Sequence, residues 1–250
     1  MFVHEPEIRK EALRLVAAGA NDCEIGRRLG IPRSTVRDWR RPTYVSTGPR
    51  ARQTCPRCWR PSVSITATAE DYAELLGLYL GDGHITQMAR AQRLRLFLDA
   101  RYRTIVTDAD ALLHRVFPDN QVCRLSRHHG RMVVLFLYHR HLACLLPQHA
   151  AGKKQLRSVA LEPWQSEIVA AAPWRFLRGC IRSDGCVFIN RTGPYEYVSY
   201  GFANLSTDIL DLFEATCLSI GLRPRRYATA IRLNRREDAT RLLEHVGIKS

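Results

Sequence analysis

Residues 75–83 read LLGLYLGDG, an apolar run of helical character that ends in an acid between two glycines. A related stretch, LRGCIRSDG, occupies residues 177–185 and keeps Leu, Gly, Asp and Gly in the same register. An internal repeat constrains an architecture more firmly than local propensity does. The sequence therefore predicts two similar halves, each organised around one of these stretches.

Small residues recur on one face of both predicted helices. Gly77 and Gly81 are four residues apart, so they share a helix face. Each glycine costs a helix interior about 1 kcal/mol relative to alanine, which favours a role in close backbone approach. The second stretch keeps Gly179 and has Ser183 at the position of Gly81. We expect the two helices to pack along these residues.

The same packing would bring together Asp82 and Asp184, which end the two predicted helices. Two carboxylates at the negative poles of two helices are unfavourable unless a cation joins them. Carboxylate oxygens are ligands for hard ions such as Mg²⁺. The alternative for a single copy is a buried apolar helix that ends in an Asp-Gly turn, and the second in-register copy argues against it.

The two stretches resemble the paired motifs of LAGLIDADG homing endonucleases in their single-chain form, and the resemblance covers residues 71–250. It implies an α+β fold, with two αββαββ halves (71–155 and 156–250) packed through the motif helices. It also implies a metal-dependent endonuclease that cuts double-stranded DNA as a monomer with pseudo-two-fold symmetry. Mg²⁺ or Mn²⁺ would be held by Asp82 and Asp184, with the backbone carbonyls of Gly81 and Ser183 as further ligands.

Lysines follow each half. Residues 145–154 read LLPQHAAGKK and residues 242–250 read LLEHVGIKS. In the family a lysine after the first half approaches the cleavage centre, and the resemblance implies this catalytic role for Lys153 or Lys154 and for Lys249. Such a lysine could stabilise charge on the phosphate. The alternative is a solvated loop in a basic protein.

Apolar alternation predicts the sheets. Leu94, Leu96 and Leu98 share one strand face, which leaves Arg93 and Arg95 on the other face to contact DNA. Helical spacing follows over 105–117, and a strand over 131–138. The second half repeats this order with strands at 195–203 and 227–233 and a last helix at 238–245. Its motif is more polar, and Arg182 either reaches a phosphate or extends to solvent from a looser interface.

Residues 1–44 have the pattern of a small all-α helix-turn-helix domain. Helical spacing stops at Gly19, Asn21 and Glu24 form a capping pair, and Pro32 opens a third helix. The residues predicted to contact the major groove lie on or just after that helix: Arg33, Ser34, Thr35, Arg37 and Arg40. A three-helix packing unit without a DNA role is the alternative.

Residues 45–70 lack periodicity and contain several prolines, as a basic linker would. Within it, Cys55 and Cys58 have the spacing of half a zinc site. A second such pair is absent from the sequence, so zinc would need distant ligands such as Cys123, Cys144 or a histidine. The alternative is a turn with two thiols.

The overall charge indicates a polyanionic partner. The chain of 250 residues has 38 basic and 24 acidic side chains, a formal charge of +14. Double-stranded DNA fits this charge better than a membrane surface, and no apolar run reaches the ~18 residues of a membrane span. We expect a cytoplasmic protein that associates with the nucleoid when bound to DNA, with reduced cysteines.

A second function remains open at this point. Sporulation regulators that join a LAGLIDADG-type fold to a helix-turn-helix bind DNA and do not cut it, and the chain also resembles these. The presence of both acids and of a lysine after each half favours the endonuclease.

Overall fold

The computed structural model describes residues 6–40, 67–192 and 194–249. The chain divides into two compact units, Met1–Gln53 and Thr54–Ser250, and each is described by itself. Within the described ranges, no helix has both the length and the apolar character needed to cross a membrane.

The first unit is a three-helix domain. Its helices are α1 (Pro6–Ala17), α2 (Asp22–Leu29) and α3 (Arg33–Trp39). The Asn21 side chain caps α2 by accepting hydrogen bonds from the backbone amides of Cys23 and Glu24, and Gly30 ends it at a φ of 65°. The small core consists of Ala12, Leu15, Ile25, Ile31 and Val36. The predicted helix-turn-helix is confirmed.

The second unit repeats one arrangement. Its first half contains α4 (Ala69–Asp82), β1 (Gly83–Gln87), β2 (Gln92–Asp99), α5 (Arg103–Val116), β3 (Cys123–Arg127), β4 (Met132–His139) and α6 (Leu142–Leu145). A 3₁₀ turn (Lys154–Leu156) and α7 (Pro163–Ala171) lead to the second half. That half contains α8 (Pro173–Asp184), β5 (Gly185–Thr192), β6 (Tyr195–Ala203), α9 (Thr207–Ser219), β7 (Arg225–Arg226), β8 (Ala230–Leu233) and α10 (Arg236–His245).

The two halves share one sheet topology. The strand orders are β1-β2-β4-β3 and β5-β6-β8-β7, and every pairing is antiparallel. The predicted alternation of apolar and basic residues along β2 is confirmed. Leu94, Leu96 and Leu98 are buried, and Arg93 and Arg95 lie on the opposite face. One continuous core runs through both halves. The α+β fold class and the αββαββ order of each half are confirmed.

The backbones of α4 and α8 meet at two glycines. A Cβ built on Gly77 would lie 2.5 Å from the carbonyl oxygen of Phe176 and 2.9 Å from the Cα of Gly179. A Cβ on Gly179 would in turn lie 2.8 Å from the amide nitrogen of Leu78. Real Cβ atoms do not approach backbone this closely, so both positions need glycine. The predicted packing along small residues is confirmed.

One predicted segment differs in the structure, and one helix was not predicted. The strand predicted over 227–233 is wrong at its start, because the amide of Tyr227 donates to the carbonyl of Ala230 at 2.7 Å and closes a turn between β7 and β8. The helix that was not predicted is α7, which Pro163 begins and a capping box between Glu162 and Gln165 stabilises.

The substitution Gly77→Ala tests the glycine contact. Alanine normally favours a helix by about 1 kcal/mol over glycine, but here the methyl group meets the backbone of α8. We expect a net loss of about 1–3 kcal/mol in the free energy of unfolding, measured by urea denaturation. Ala111→Gly, at an exposed position in α5, is the control for helix propensity alone. A stabilised Gly77→Ala variant would contradict the close contact.

Candidate functional site

The two motif acids lie at the ends of the paired helices. Asp82 is the last residue of α4 and Asp184 is the last residue of α8. A Cβ built on Gly81 would lie 2.9 Å from Oδ2 of Asp184, so this carboxylate rests against the end of α4 beside Asp82. The glycine contact further up the helices therefore brings the two acids together.

The two carboxyl groups have different surroundings. Burial raises the pKa of Asp82 to about 7; the charge of Asp184 adds to the rise, and Lys249 and Lys154 oppose it. Burial also raises the pKa of Asp184, against a hydrogen bond from Asn204, whose Nδ2 donates to Oδ2 at 2.7 Å. Among the described side chains, this amide contact has no counterpart at Asp82.

A lysine caps the end of each motif helix. Nζ of Lys154 donates to the carbonyl oxygens of Leu80 at 2.9 Å and Gly83 at 2.8 Å, and also to that of Tyr79. Burial lowers the pKa of Lys154 to about 8, an effect that the two acids oppose. A cation at a helix C-terminus donates hydrogen bonds to the last carbonyls and interacts favourably with the negative end of the helix dipole. Of the two candidate lysines in the first half, Lys154 thus faces the helix end, whereas Lys153 is exposed at the rim.

Lys249 repeats this contact in the second half. Its Nζ donates to the carbonyl oxygens of Ser183 at 2.5 Å and Gly185 at 2.9 Å. Burial lowers its pKa, and the nearby acids oppose the change. The two lysines therefore occupy equivalent positions. Each lies beside one of the two motif acids and at the C-terminal end of one motif helix.

The two motif carboxylates fit a hard divalent cation whose coordination shell is completed by other oxygen atoms. Asp82 and Asp184 supply two carboxylates, and the described residues include no cluster of three or more His, Cys, Asp or Glu side chains suited to a metal. Lys249 donates to the carbonyl of Ser183, and Nζ of Lys154 lies 3.4 Å from the carbonyl oxygen of Gly81. Each carbonyl oxygen has a second lone pair, so metal ligation by Gly81 and Ser183 stays a prediction, and water or a phosphate would supply the remaining ligands.

A cavity opens on each side of the paired acids. One, of about 530 Å³, is lined by Asp82, Tyr102, Arg182 and Lys249. The other, of about 760 Å³, is lined by Asp184, Lys154, His84, Asn204 and Leu205. Each cavity thus contains one motif acid and one capping lysine, as the internal repeat requires.

A buried ionic cluster links the two halves beside the acids. Glu74 on α4, with a side chain only 5% exposed, lies 3.1–3.3 Å from three arginines on one face of α8: Arg175, Arg178 and Arg182. Arg182 also lies 2.6 Å from Asp108 of α5. The side chain of Arg182 is 8% exposed, so its predicted extension to solvent is wrong, and two carboxylates bind its guanidinium.

The predicted DNA-contacting arginines of β2 lie on the sheet face opposite the core. Nη2 of Arg95 donates to Oγ1 of Thr86 at 2.8 Å and lies 3.0 Å from Nδ1 of His84. The guanidinium carbon of Arg95 lies 5.3 Å from the centroid of the Phe97 ring. Arg93 lies on the same face, two residues away. The contacts of Arg95 hold a basic group at a defined position on this face.

The helix-turn-helix residues are accessible within their own unit. Exposed or partly exposed are Arg33, Ser34, Thr35, Arg37 and Arg40. Arg40 follows the last residue of α3 and pairs with Asp22 at 2.8 Å. In this unit, α3 therefore presents a polar and basic surface beside the core residue Val36.

The cysteine pair Cys55 and Cys58 lies outside the described residues. Cys123 is on β3 and Cys144 is in α6, and both are partly exposed. The zinc interpretation stays a prediction.

Comparison with known proteins finds one family model and several similar structures. A family model described as a homeodomain-like domain matches residues 4–48. No curated protein matches the chain. The structure is similar to that of full-length DUF199/WhiA from Thermatoga maritima, at 16% identity and a TM-score of 0.48. That match covers 75% of this chain, and this chain spans only 58% of the WhiA chain.

Two further similar structures are endonucleases bound to DNA. I-DmoI in complex with DNA and Mn matches at 12% identity and a TM-score of 0.49, covering 72% of this chain and 97% of that chain. The homing endonuclease I-WcaI bound to its DNA recognition sequence matches at 14% identity and a TM-score of 0.46, covering 74% and 84%. At such low identity these similarities describe the fold alone.

The pKa of Asp82 predicts a specific pH dependence of stability. A carboxyl group with a raised pKa in the folded state stabilises the protein below its unfolded value of 3.8, and this contribution is lost as the pH rises to about 7. In metal-free buffer, Asp82→Asn should therefore gain stability relative to the wild type as the pH rises, by at most about 4 kcal/mol at pH 8. Urea denaturation across this pH range measures the difference.

The matched control is Asp99→Asn, at the rim of the same cavity. Hydrogen bonds from Arg101 lower the pKa of Asp99, so this variant should lose stability relative to the wild type as the pH rises. If the two variants show the same sign of pH dependence, the burial and mutual repulsion assigned to Asp82 are wrong.

Proposed function

We propose that this chain is a divalent-metal-dependent endonuclease of the LAGLIDADG homing type, which hydrolyses phosphodiester bonds in double-stranded DNA. The observation that carries the proposal is the meeting of Asp82 and Asp184 at the ends of two paired helices, each beside a capping lysine. Two partly buried acids held together at the negative poles of two helices are a costly arrangement in the absence of a cation.

The residues of the site have complementary roles in this proposal. A bound Mg²⁺ or Mn²⁺ would activate water and neutralise charge on the phosphate. Asp82 and Asp184 would hold the metal, and the amide of Asn204 keeps the Asp184 carboxylate oriented. Lys154 and Lys249 add a positive charge on either side, where negative charge develops during phosphodiester hydrolysis.

The cleavage step also requires DNA to lie over the acids. The net charge of +14 and the anchored Arg95 on the outer face of the first sheet favour binding of the phosphate backbone and of base edges. The homeodomain-like unit supplies a second DNA contact through α3. We propose that the protein acts as a monomer, because one chain carries both acids.

A DNA-binding regulator that does not cleave is the second candidate. It is favoured by the fact that lysine hydrogen bonds cap both motif helices, from Lys154 to Leu80 and Gly83 and from Lys249 to Ser183 and Gly185. In this alternative the lysines stabilise the helix ends permanently, and no metal is needed for the fold.

Cleavage of a randomised duplex library distinguishes the two candidates. We expect the wild type to cut one long site with Mg²⁺ or Mn²⁺ and not with EDTA. Asp82→Asn combined with Asp184→Asn should lower cutting at least about 10³-fold and leave DNA affinity intact, because the metal ligands are lost and the basic surfaces are not. Asp99→Asn removes a carboxylate from the same cavity and should still cut.

Two outcomes of the cleavage experiment would contradict the proposed endonuclease. Equal cutting by the double variant would refute the assignment of the two acids. Selective retention of certain sequences without any cut, on a library shown to contain the retained site, would establish the regulator instead.

A further inference from the structure

The hairpin between β3 and β4 ends in a strained turn. His128 and His129 have φ values of 52° and 56°, and Gly130 follows at 84°. Within the described ranges, these two histidines are the only non-glycine residues with positive φ. Side chains disfavour this left-handed conformation, and residues held in it cluster at binding and catalytic sites. The strain of the described backbone is therefore concentrated at this one turn.

The turn holds the next residue, Arg131, by three hydrogen bonds. The carbonyl oxygen of His128 accepts from the backbone amide of Arg131 at 3.3 Å and from its Nε at 3.4 Å. The carbonyl oxygen of Arg131 accepts from the amide of Ala100 at 2.9 Å, which ties the turn to the end of β2. These bonds use the main chain and Nε, and no described group binds either Nη of Arg131. The guanidinium is therefore oriented with both Nη groups available.

Arg131 lines the same cavity as Asp82 and differs there from the other basic side chains. Each of the other lysines and arginines has an acidic neighbour, in the pairs Arg101–Asp99 at 2.7 Å, Arg182–Asp108 at 2.6 Å and Lys249–Asp82. Arg131 forms no ion pair with any acid in the part of the chain that the structure describes. A guanidinium without an acidic partner is suited to bind an anion that enters the cavity.

The second half has no equivalent of this arginine. The pairing registers place Leu135 on β4 and Ile231 on β8 at corresponding positions, each in line with the glycine that follows a motif acid. From Leu135, strand β4 extends back to Met132 before the turn, whereas β8 begins at Ala230, directly before Ile231. The shorter turn contributes the uncharged Thr229 to the Asp184 cavity. The hairpin arginine is thus confined to the Asp82 side.

We propose that Arg131 binds one backbone phosphate of a DNA duplex that lies over the Asp82 side. Two Nη groups of one guanidinium match two oxygens of one phosphate, which gives the contact a defined geometry as well as charge. The strained turn fixes this geometry in advance, so little side-chain freedom is lost on binding. The inference rests on the DNA binding of the proposed function and does not require cleavage.

The first test measures the salt dependence of binding in EDTA, so that no strand is cut. The probe is a duplex that the wild-type chain retains from a randomised library. Each phosphate contact contributes about 0.9 to the slope of log affinity against log salt concentration, so Arg131→Gln should lower the magnitude of that slope by about 0.9. Arg236→Gln is the matched control, because Arg236 is exposed on α10 and lines neither cavity. It removes the same charge and should keep the wild-type slope, and thermal denaturation should find both variants folded.

Uncharged methylphosphonate linkages, placed one at a time along the same duplex, locate the contact. We expect one linkage at which the substitution weakens wild-type binding about fivefold and leaves the affinity of Arg131→Gln unchanged. An unchanged salt slope in Arg131→Gln, or a loss in that variant at every linkage that also weakens the wild type, would overturn the phosphate contact while DNA binding stands. Failure of the wild type to retain any duplex at low salt would overturn the proposed function as well.

Discussion

The close contact between Gly77 and Gly179 is the constraint on which the second unit depends. No side chain larger than hydrogen fits between the two helix backbones at these positions. The contact sets the distance between α4 and α8, and the continuous core of both halves is built around them. Because the acids follow five residues later on each helix, the same contact also determines that two carboxylates meet. The same glycine contact thus determines both the packing of α4 against α8 and the position of the two acids.

Electrostatic compensation is distributed unevenly around this contact. Glu74 is surrounded by three arginines of α8, so its buried charge is neutralised within the protein. Asp82 has no comparable partner among the described residues, and its pKa rises to about 7. A buried ion pair is weak evidence for stability, because the cost of removing two charges from water can exceed the attraction between them. The Glu74 cluster favours the pairing of unlike halves. The two motif acids, whose charge Lys154 and Lys249 compensate only in part, favour a cation.

The sequence predicts those features that depend on neighbouring residues. The glycine seam, the paired acids and the alternating strand β2 are each visible as local patterns, and the repeat supplies their arrangement. Strand β3 was not predicted, because its residues CRLSR are almost all exposed and carry no buried alternation. Asn204 and the Glu74 cluster could not be predicted either, since their partners come from distant parts of the chain. The choice of Lys154 over Lys153 depends on the 3₁₀ turn, which no local pattern indicates.

We propose that the glycine contact creates a cation site from Asp82 and Asp184. Mn²⁺ binding, followed by electron paramagnetic resonance at pH 8 without DNA, tests it most directly. We expect bound Mn²⁺ in the wild type, weaker binding as the pH falls below the pKa of about 7 for Asp82, and loss of binding in Asp82→Asn. Equal Mn²⁺ binding by the wild type and Asp82→Asn at pH 8 would contradict it.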